Sequence, residues 1–369
     1  MIFILGLLLM GFCLYPPMEG RVFYQALWGL SFLSLVYSYE FGKKLHWSLG
    51  LNLLIILLSG LYTFFFQVNY PIPIPPEMLA RGSQETVYAM LTLLLFSTLL
   101  MTQDKKFFEK VLKLLFCVAV LDSLVMIWGR FYLHEIPPYG MLSNGTADAC
   151  FIVCFLPYAI MKTMEPYRWM AMLVMLFSIF LSHSNTACAS VGVGIAFILL
   201  QRMSLKNWVM IMFPVTAIFL LLARFAIGDH FLLDSGRRFV WEGSFQFYKQ
   251  FANTWIGIGT GTFTSWGVGW QYAHYINDKQ KTLWPWLHNE YLEILFENGI
   301  IGLFASLTAL GYLLKKSFNS YIFPIVCVYS FTGLTEMPLR LWVTQLLGVA
   351  LLGVIYSTTS RDIIHTEST

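Results

Sequence analysis

KVLKLLFCVAVLDSLVMIWG, residues 110–129, is a twenty-residue run whose charges are Lys110 and Lys113 at one end and Asp122 within it. A helix rises ~1.5 Å per residue, so twenty residues span the ~30 Å hydrocarbon core of a bilayer. Runs of the same kind recur along the chain. They lie near 1–15, 22–40, 47–67, 86–103, 147–163, 168–183, 187–201, 207–227, 299–314, 320–335 and 340–357. The run at 187–201 is the shortest. Backbone groups in lipid must be satisfied within the chain, so these runs are expected to be helices and not strands. The expected fold is all-α: a polytopic transmembrane bundle of about twelve spans.

Composition agrees. The chain has 369 residues, 57% of them hydrophobic, 17% aromatic and 12% charged. Soluble domains carry roughly 25% charged residues. A surface this apolar must largely face lipid. The net charge of +3 is small and gives no indication of a nucleic-acid partner. The first stretch, MIFILGLLLMGFCLYPP, lacks a basic leader and a small-residue cleavage site. It is expected to be a retained first span.

Lysines and arginines set the orientation, because they collect in cytoplasmic loops. One set of alternate connections holds Lys43, Lys44, Lys105, Lys106, Lys110, Lys113, Lys162, Arg168, Arg202, Lys206, Lys315 and Lys316, with Arg361 in the tail. The other holds Arg21, Arg81, Arg130 and Arg340 outside the one long loop. Thirteen against four places both termini on the cytoplasmic side. The long connection, 228–298, then falls on the outer side and is expected to carry short helices. The chain divides accordingly into spans one to nine (1–227), an outer loop (228–298), and spans ten to twelve with a short tail (299–369). YPIPIPP, 70–76, reads as a stiff outer linker.

The six cysteines sit in or beside apolar runs. Cys150 and Cys154 are one helical turn apart, but they have no ligand company, and small apolar residues of a membrane helix is the better reading. Neither disulfide nor zinc is expected.

No P-loop or dinucleotide fingerprint occurs. Gly257, Gly259 and Gly261 in WIGIGTGTF lack the preceding strand and the spacing of a phosphate cradle, and read as a tight turn. No Asp-x-Asp pair offers a divalent-cation site, which disfavours a transferase using sugar nucleotides. No metal or cofactor is expected.

The informative stretch is LHNEYLEILFENGIIG, 287–302. His288 opens a helix on which Asn289, Glu293 and Glu297 share one face, and Leu292, Leu295 and Phe296 offer an apolar one. Gly299 marks a point where the helix could bend or break. Histidine titrates near neutral pH without help. An interfacial histidine hydrogen-bonded to a neighbour fits the same spacing. In SGRRFVWEGSF, Arg237 and Arg238 head a helix carrying Trp241, Phe245 and Tyr248. A guanidinium matches phosphate oxygens bidentately, so an outer-side arginine pair suits a diphosphate. Salt bridges to headgroups, Asp234 or Glu242 suit it equally. Arg21, Arg81, Arg130 and Arg340 break the positive-inside rule at one face, and Arg224 lies near the same face. Asp122 is the one carboxylate well inside a span, where polar groups are expensive. It fits a functional role or a pair with a nearby hydroxyl.

Three stretches, in order, resemble the O-antigen ligase and O-antigen polymerase family of bacterial membrane glycosyltransferases. GMLSNGTADACFIVCFLP, 140–157, loosely resembles a Gly-x-Phe-x-Asn-x-Asn pattern. SGRRFVWEGSF, with WIGIGTGTF after it, resembles a Ser-Gly-Arg-x-x-x-Trp stretch and a Gly-x-Gly turn. LHNEYLEILFENGIIGLF resembles the His-Asn-x-x-Leu-x-x-x-x-Glu-x-Gly block, the most specific of the three. Together they cover roughly 140–315. One departure is clear: where family members often have Ser-Arg, this chain has LSHSNTACAS, with His183 and Asn185 and no arginine.

The resemblance implies a bacterial inner-membrane enzyme with its active site facing the periplasm. It would invert the anomeric centre without metal, taking an undecaprenyl-diphosphate-linked oligosaccharide as donor. It implies His288 as catalytic base, with Glu290 or Glu293 fixing its tautomer. Arg237, Arg238, Arg224, Arg130, Arg81 and Arg340 would bind the diphosphate. Expected partners are membrane lipid, a glycan or lipid A-core acceptor, and a chain-length regulator. A repeat-unit polymerase is slightly favoured over a ligase to lipid A-core or an oligosaccharyltransferase to protein. A lipid-linked sugar transporter is the alternative of a different class. Such transporters often show two related halves and broken helices, and the sequence suggests neither.

Overall fold

The computed structural model describes residues 105–135, 138–141, 145–203, 254–259, 287–334 and 342–357, with single positions among 47–59, at 207, among 241–249 and at 263. These form helices α1 (Lys105–Tyr132), α2 (Gly145–Cys154), α3 (Leu156–Lys162), α4 (Tyr167–Leu181), α5 (Asn185–Arg202), α6 (Glu290–Ser317), α7 (Ile322–Thr332) and α8 (Trp342–Ser357). No β-strand forms among the described residues. Among them, α1, the stretch Gly145–Lys162, α5 and α6 are long and apolar enough to cross a membrane, and α4 and α7 are shorter apolar helices. The expected spans near 1–15, 22–40 and 86–103 lie outside the described residues, as do most of 47–67 and 207–227.

The described helices follow the sequence with local corrections. The span expected over 147–163 is two helices. Phe155 interrupts it, and Pro157 sits in the first turn of α3. Proline has no N–H to give the carbonyl four residues back, and its ring crowds that carbonyl. The shortest expected span, 187–201, is an 18-residue helix, α5. Ser184 starts it by accepting from Ala187 N at 3.3 Å, a side-chain cap for an otherwise orphaned donor. The polar LSHSNTACAS stretch is thus a helix boundary: Ser182 Oγ accepts from Ser184 N at 3.1 Å and donates to Ile179 O at 2.6 Å.

By proximity the chain forms two compact units: Met1–Lys105 with Val240–Tyr312 and Leu352–Thr369, and Lys106–Phe239 with Leu313–Leu351. In the second, α7 packs on α5, and α2 packs on α4, α5 and α7. Gly194 of α5 allows the approach: a Cβ there would lie 3.1 Å from Val328 and 3.4 Å from Pro157. Cys150 and Cys154 are buried in α2, and Cys154 Sγ donates to Cys150 O at 3.2 Å, which fits the reading as small apolar helix residues. On α1, Leu112, Leu115, Ala119 and Met126 are buried, while Leu114, Leu121, Leu124 and Trp128 are exposed. An exposed apolar face of this kind is one that lipid solvates. Trp128 stacks on Tyr132 at 4.3 Å near the helix end, where aromatics anchor at an interface.

Asp122 is partnered by backbone. It is 1% exposed, and its Oδ1 accepts from Met141 N at 2.6 Å. Asp148, in the first turn of α2, accepts from Gly140 N at 2.8 Å. The backbone at Gly140 and Met141, between α1 and α2, is therefore held by two buried carboxyl groups. A Cβ on Gly140 would collide with Asp122 Oδ1 and would lie 2.7 Å from Asp148 Cγ. Gly140→Ala should cost about 1–3 kcal/mol through overpacking. It is read as a lower unfolding midpoint in mild detergent, and an unchanged midpoint would mean that the segment yields freely.

Candidate active site

The site is built on α6, in the first compact unit. Asn289 is its N-cap: Oδ1 accepts from Leu292 N at 3.0 Å and the carbonyl accepts from Glu293 N at 3.0 Å. The side chain that spacing placed on one face with Glu293 and Glu297 caps the helix. An Asn followed at once by an acidic first turn was the available signal. Glu290 and Glu293 occupy that turn, where carboxylates complement the positive helix end. Glu290, Glu293 and Glu297 are all buried.

The helix is broken at Gly299, with φ 64° and ψ −168°. The bend that the sequence suggested at this glycine is a true discontinuity. It also removes one sequence-level objection to transport, the absence of broken helices. The break is filled by the glycine turn. Ile258 N donates to Phe296 O at 2.9 Å, and Gly259 N to Glu297 O at 2.8 Å. In return, Ile300 N donates to Thr254 O at 3.0 Å, and Ile301 N to Trp255 O at 3.2 Å. The turn thus caps the end of one half-helix and the start of the next. Gly257 and Gly259 have φ of 74° and 105°, left-handed values that glycine adopts without steric cost. A Cβ at Gly257 would strike the Glu297 backbone, and one at Gly299 would strike that of Trp255. The tight-turn reading of WIGIG holds for Gly257 and Gly259. Gly261 lies outside the described residues.

A small core supports the junction. Phe263, Leu287 and Phe296 are fully buried, with Trp241, Tyr248, Leu292 and Leu295 packed against them. Tyr248 stacks on Phe296 at 4.9 Å, and its hydroxyl donates to Thr254 O at 3.1 Å. Glu297 Oε1 accepts from Phe263 N at 3.3 Å. Trp241 Nε1 donates to Leu287 O at 2.8 Å. The sequence sets Trp241 four residues after Arg237, and no local spacing signals its partner at Leu287.

His288 stands between Leu287 and the cap, with φ 51°. Non-glycine residues enter this region uncommonly and at some cost. Of the other expected site residues, Arg130 lies in the second unit, in the last turn of α1. Its Nη1 donates to Glu135 O at 3.2 Å, a helix-end contact that suits a basic residue at that terminus. Arg81, Arg224, Arg237, Arg238 and Arg340 lie outside the described residues.

These features define a membrane-embedded helical protein with a discontinuous helix and a polar cluster at its start. Residues 170–307 match the family model described as O-antigen ligase, which supports the resemblance to the O-antigen ligase and polymerase family. No curated protein matches the chain. The matched stretch holds His288, Glu290, Glu293, Arg224, Arg237 and Arg238, and excludes Arg81, Arg130 and Arg340.

Two predictions follow from this geometry. Gly257→Ala and Gly299→Ala each meet backbone and a left-handed φ, so each should destabilise by more than ~1 kcal/mol. Wild-type melting of either variant in detergent would contradict the interlock. Asn289→Ala should cost ~1 kcal/mol, whereas Asn289→Ser should cost little; equal losses in the two would remove the cap assignment.

Proposed function

We propose that this chain transfers an undecaprenyl-diphosphate-linked glycan at the periplasmic face of the inner membrane, with both termini cytoplasmic. Extension of a lipid-linked glycan by repeat units is the preferred reaction. The observation that carries the reading is His288, in a left-handed backbone at the capped start of α6, inside the family-matched stretch.

The acceptor hydroxyl attacks the anomeric carbon. The new C–O bond forms as the bond from that carbon to the diphosphate oxygen breaks, and its electron pair leaves with the lipid diphosphate. One displacement inverts the centre. His288 takes the hydroxyl proton, which requires a heavy-atom approach of ~2.6–3.2 Å in the substrate complex. Glu290 or Glu293 fixes the imidazole tautomer. Arg237 and Arg238, with Arg224, Arg130, Arg81 and Arg340, stabilise the departing diphosphate. Such preorganised donors act where charge develops, at about 3–4 kcal/mol for a single donor.

The discontinuity of α6 also bears on transport. In transporters, broken helices leave backbone groups facing a substrate or ion. Here four backbone groups flanking the break bond to the 254–259 turn, which favours a structural break over a conduit.

The deciding assay supplies the purified protein in lipid with an undecaprenyl-diphosphate-linked oligosaccharide, first alone and then with lipid A-core. Longer lipid-linked chains formed without lipid A-core establish the polymerase. Product on lipid A-core alone establishes the ligase. Unchanged substrate in both arms points to a protein acceptor or to transport. His288→Ala should cut transfer to a small residual rate while the protein still inserts; full activity in it would end the base assignment. Arg237→Lys and Arg238→Lys should each turn over poorly, since a point charge does not copy the guanidinium fork. Normal turnover in both would remove their diphosphate role.

A further inference from the structure

A histidine at φ 51° needs a reason to stay there. Such a backbone persists only where its surroundings over-determine it. Its φ and ψ are the rotations between two peptide planes, and each plane is rigid because the peptide bond is planar. Holding both planes therefore holds the residue.

The plane after His288 is tied to the helix start. It includes the N of Asn289, whose side chain accepts from Leu292 N and whose carbonyl accepts from Glu293 N. The plane before His288 contains the Leu287 carbonyl. Leu287 is fully buried against Phe263 and Phe296. Its carbonyl oxygen accepts the Trp241 indole N–H at 2.8 Å, and the indole itself packs against the same core. The C=O and the following N–H lie in one plane, so this bond orients the amide from which the His288 φ is measured. With both planes held, rotation about the side-chain bonds is the main freedom left to the imidazole.

We infer that Trp241 is a positioning residue for His288: its indole N–H clamps the Leu287–His288 peptide and fixes the direction from which the imidazole meets the acceptor hydroxyl. The inference rests on His288 acting in the transfer proposed above. It gives Trp241, in the same sequence motif as Arg237 and Arg238, a defined link to the histidine segment. A buried indole N–H commonly finds some acceptor, so the test must separate a clamp from simple packing.

Turnover of an undecaprenyl-diphosphate-linked oligosaccharide would be measured on the full chain in lipid. The substitutions are Trp241→Phe and replacement of Trp241 by 3-benzothienyl-alanine, which keeps the bicyclic shape and loses the N–H. Each is made alone and with His288→Ala. Losing one neutral hydrogen bond should lower kcat roughly three- to tenfold, with donor KM unchanged in the benzothienyl variant. In the His288→Ala background neither substitution should lower the residual rate further, because residues acting as one unit are not additive.

Equal fractional losses in both backgrounds would overturn the inference and leave packing as the role of Trp241. So would full kcat in the benzothienyl variant while His288→Ala retains only its residual rate. Full activity in His288→Ala would bring down the base assignment and this inference together. If Trp241→Phe fails to insert, the benzothienyl variant decides alone.

Discussion

The first compact unit depends on how α6 is allowed to be broken. An interrupted helix leaves N–H and C=O groups without partners, and in lipid each such group costs several kcal/mol. The 254–259 turn answers this with two donors to the first half-helix and two acceptors for the second. The exchange requires backbone to touch backbone, so glycine stands on both sides of the contact. Two stretches roughly forty residues apart in sequence become one structural element.

Much of the candidate site follows from that junction. Phe296, beside the break, is drawn into the core with Leu287 and Phe263. Leu287 is thereby pinned directly before His288, and Asn289 pins the other side by starting the helix. The buried carboxyl groups of Glu290 and Glu293 lie on the first turn, where the helix end is positive. A displacement at an anomeric carbon needs a base held in one direction more than it needs a mobile one. A strained, doubly anchored histidine meets that requirement.

In the second unit, side chains satisfy backbone groups at several places by other means. Asp122 and Asp148 receive backbone N–H groups of Met141 and Gly140. Ser184 caps α5. At the far end of α5, Gln201 Nε2 donates to the carbonyls of Phe318 and Ser320. These four side chains are tied to chain entry and chain ends, whereas Ser123, Ser178, Ser190 and Ser330 donate to carbonyls three or four residues back in their own helices. The same logic makes LSHSNTACAS a helix start, while its lack of an arginine stays a departure from the family pattern.

Length and apolarity were enough to place the described helices, because a bilayer admits few backbone solutions and each leaves a long, uninterrupted signature. The weight of LHNEYLEILFENGIIG was also legible, since a histidine before an acidic, amphipathic helix and a glycine at its far end are visible in one dimension. Pro157 is visible too, and it opens the second of the two helices into which the 147–163 span divides. What the sequence left open were contacts that join distant stretches. That WIGIG fills the break at Gly299, that Trp241 holds the peptide before His288, and that Asp122 meets the Gly140–Met141 backbone beside Asp148 were decided only by tertiary structure. Spacing can report which residues share a face of one helix. Which groups complete each other's hydrogen bonds across forty residues depends on where the chain returns, and no local pattern encodes that.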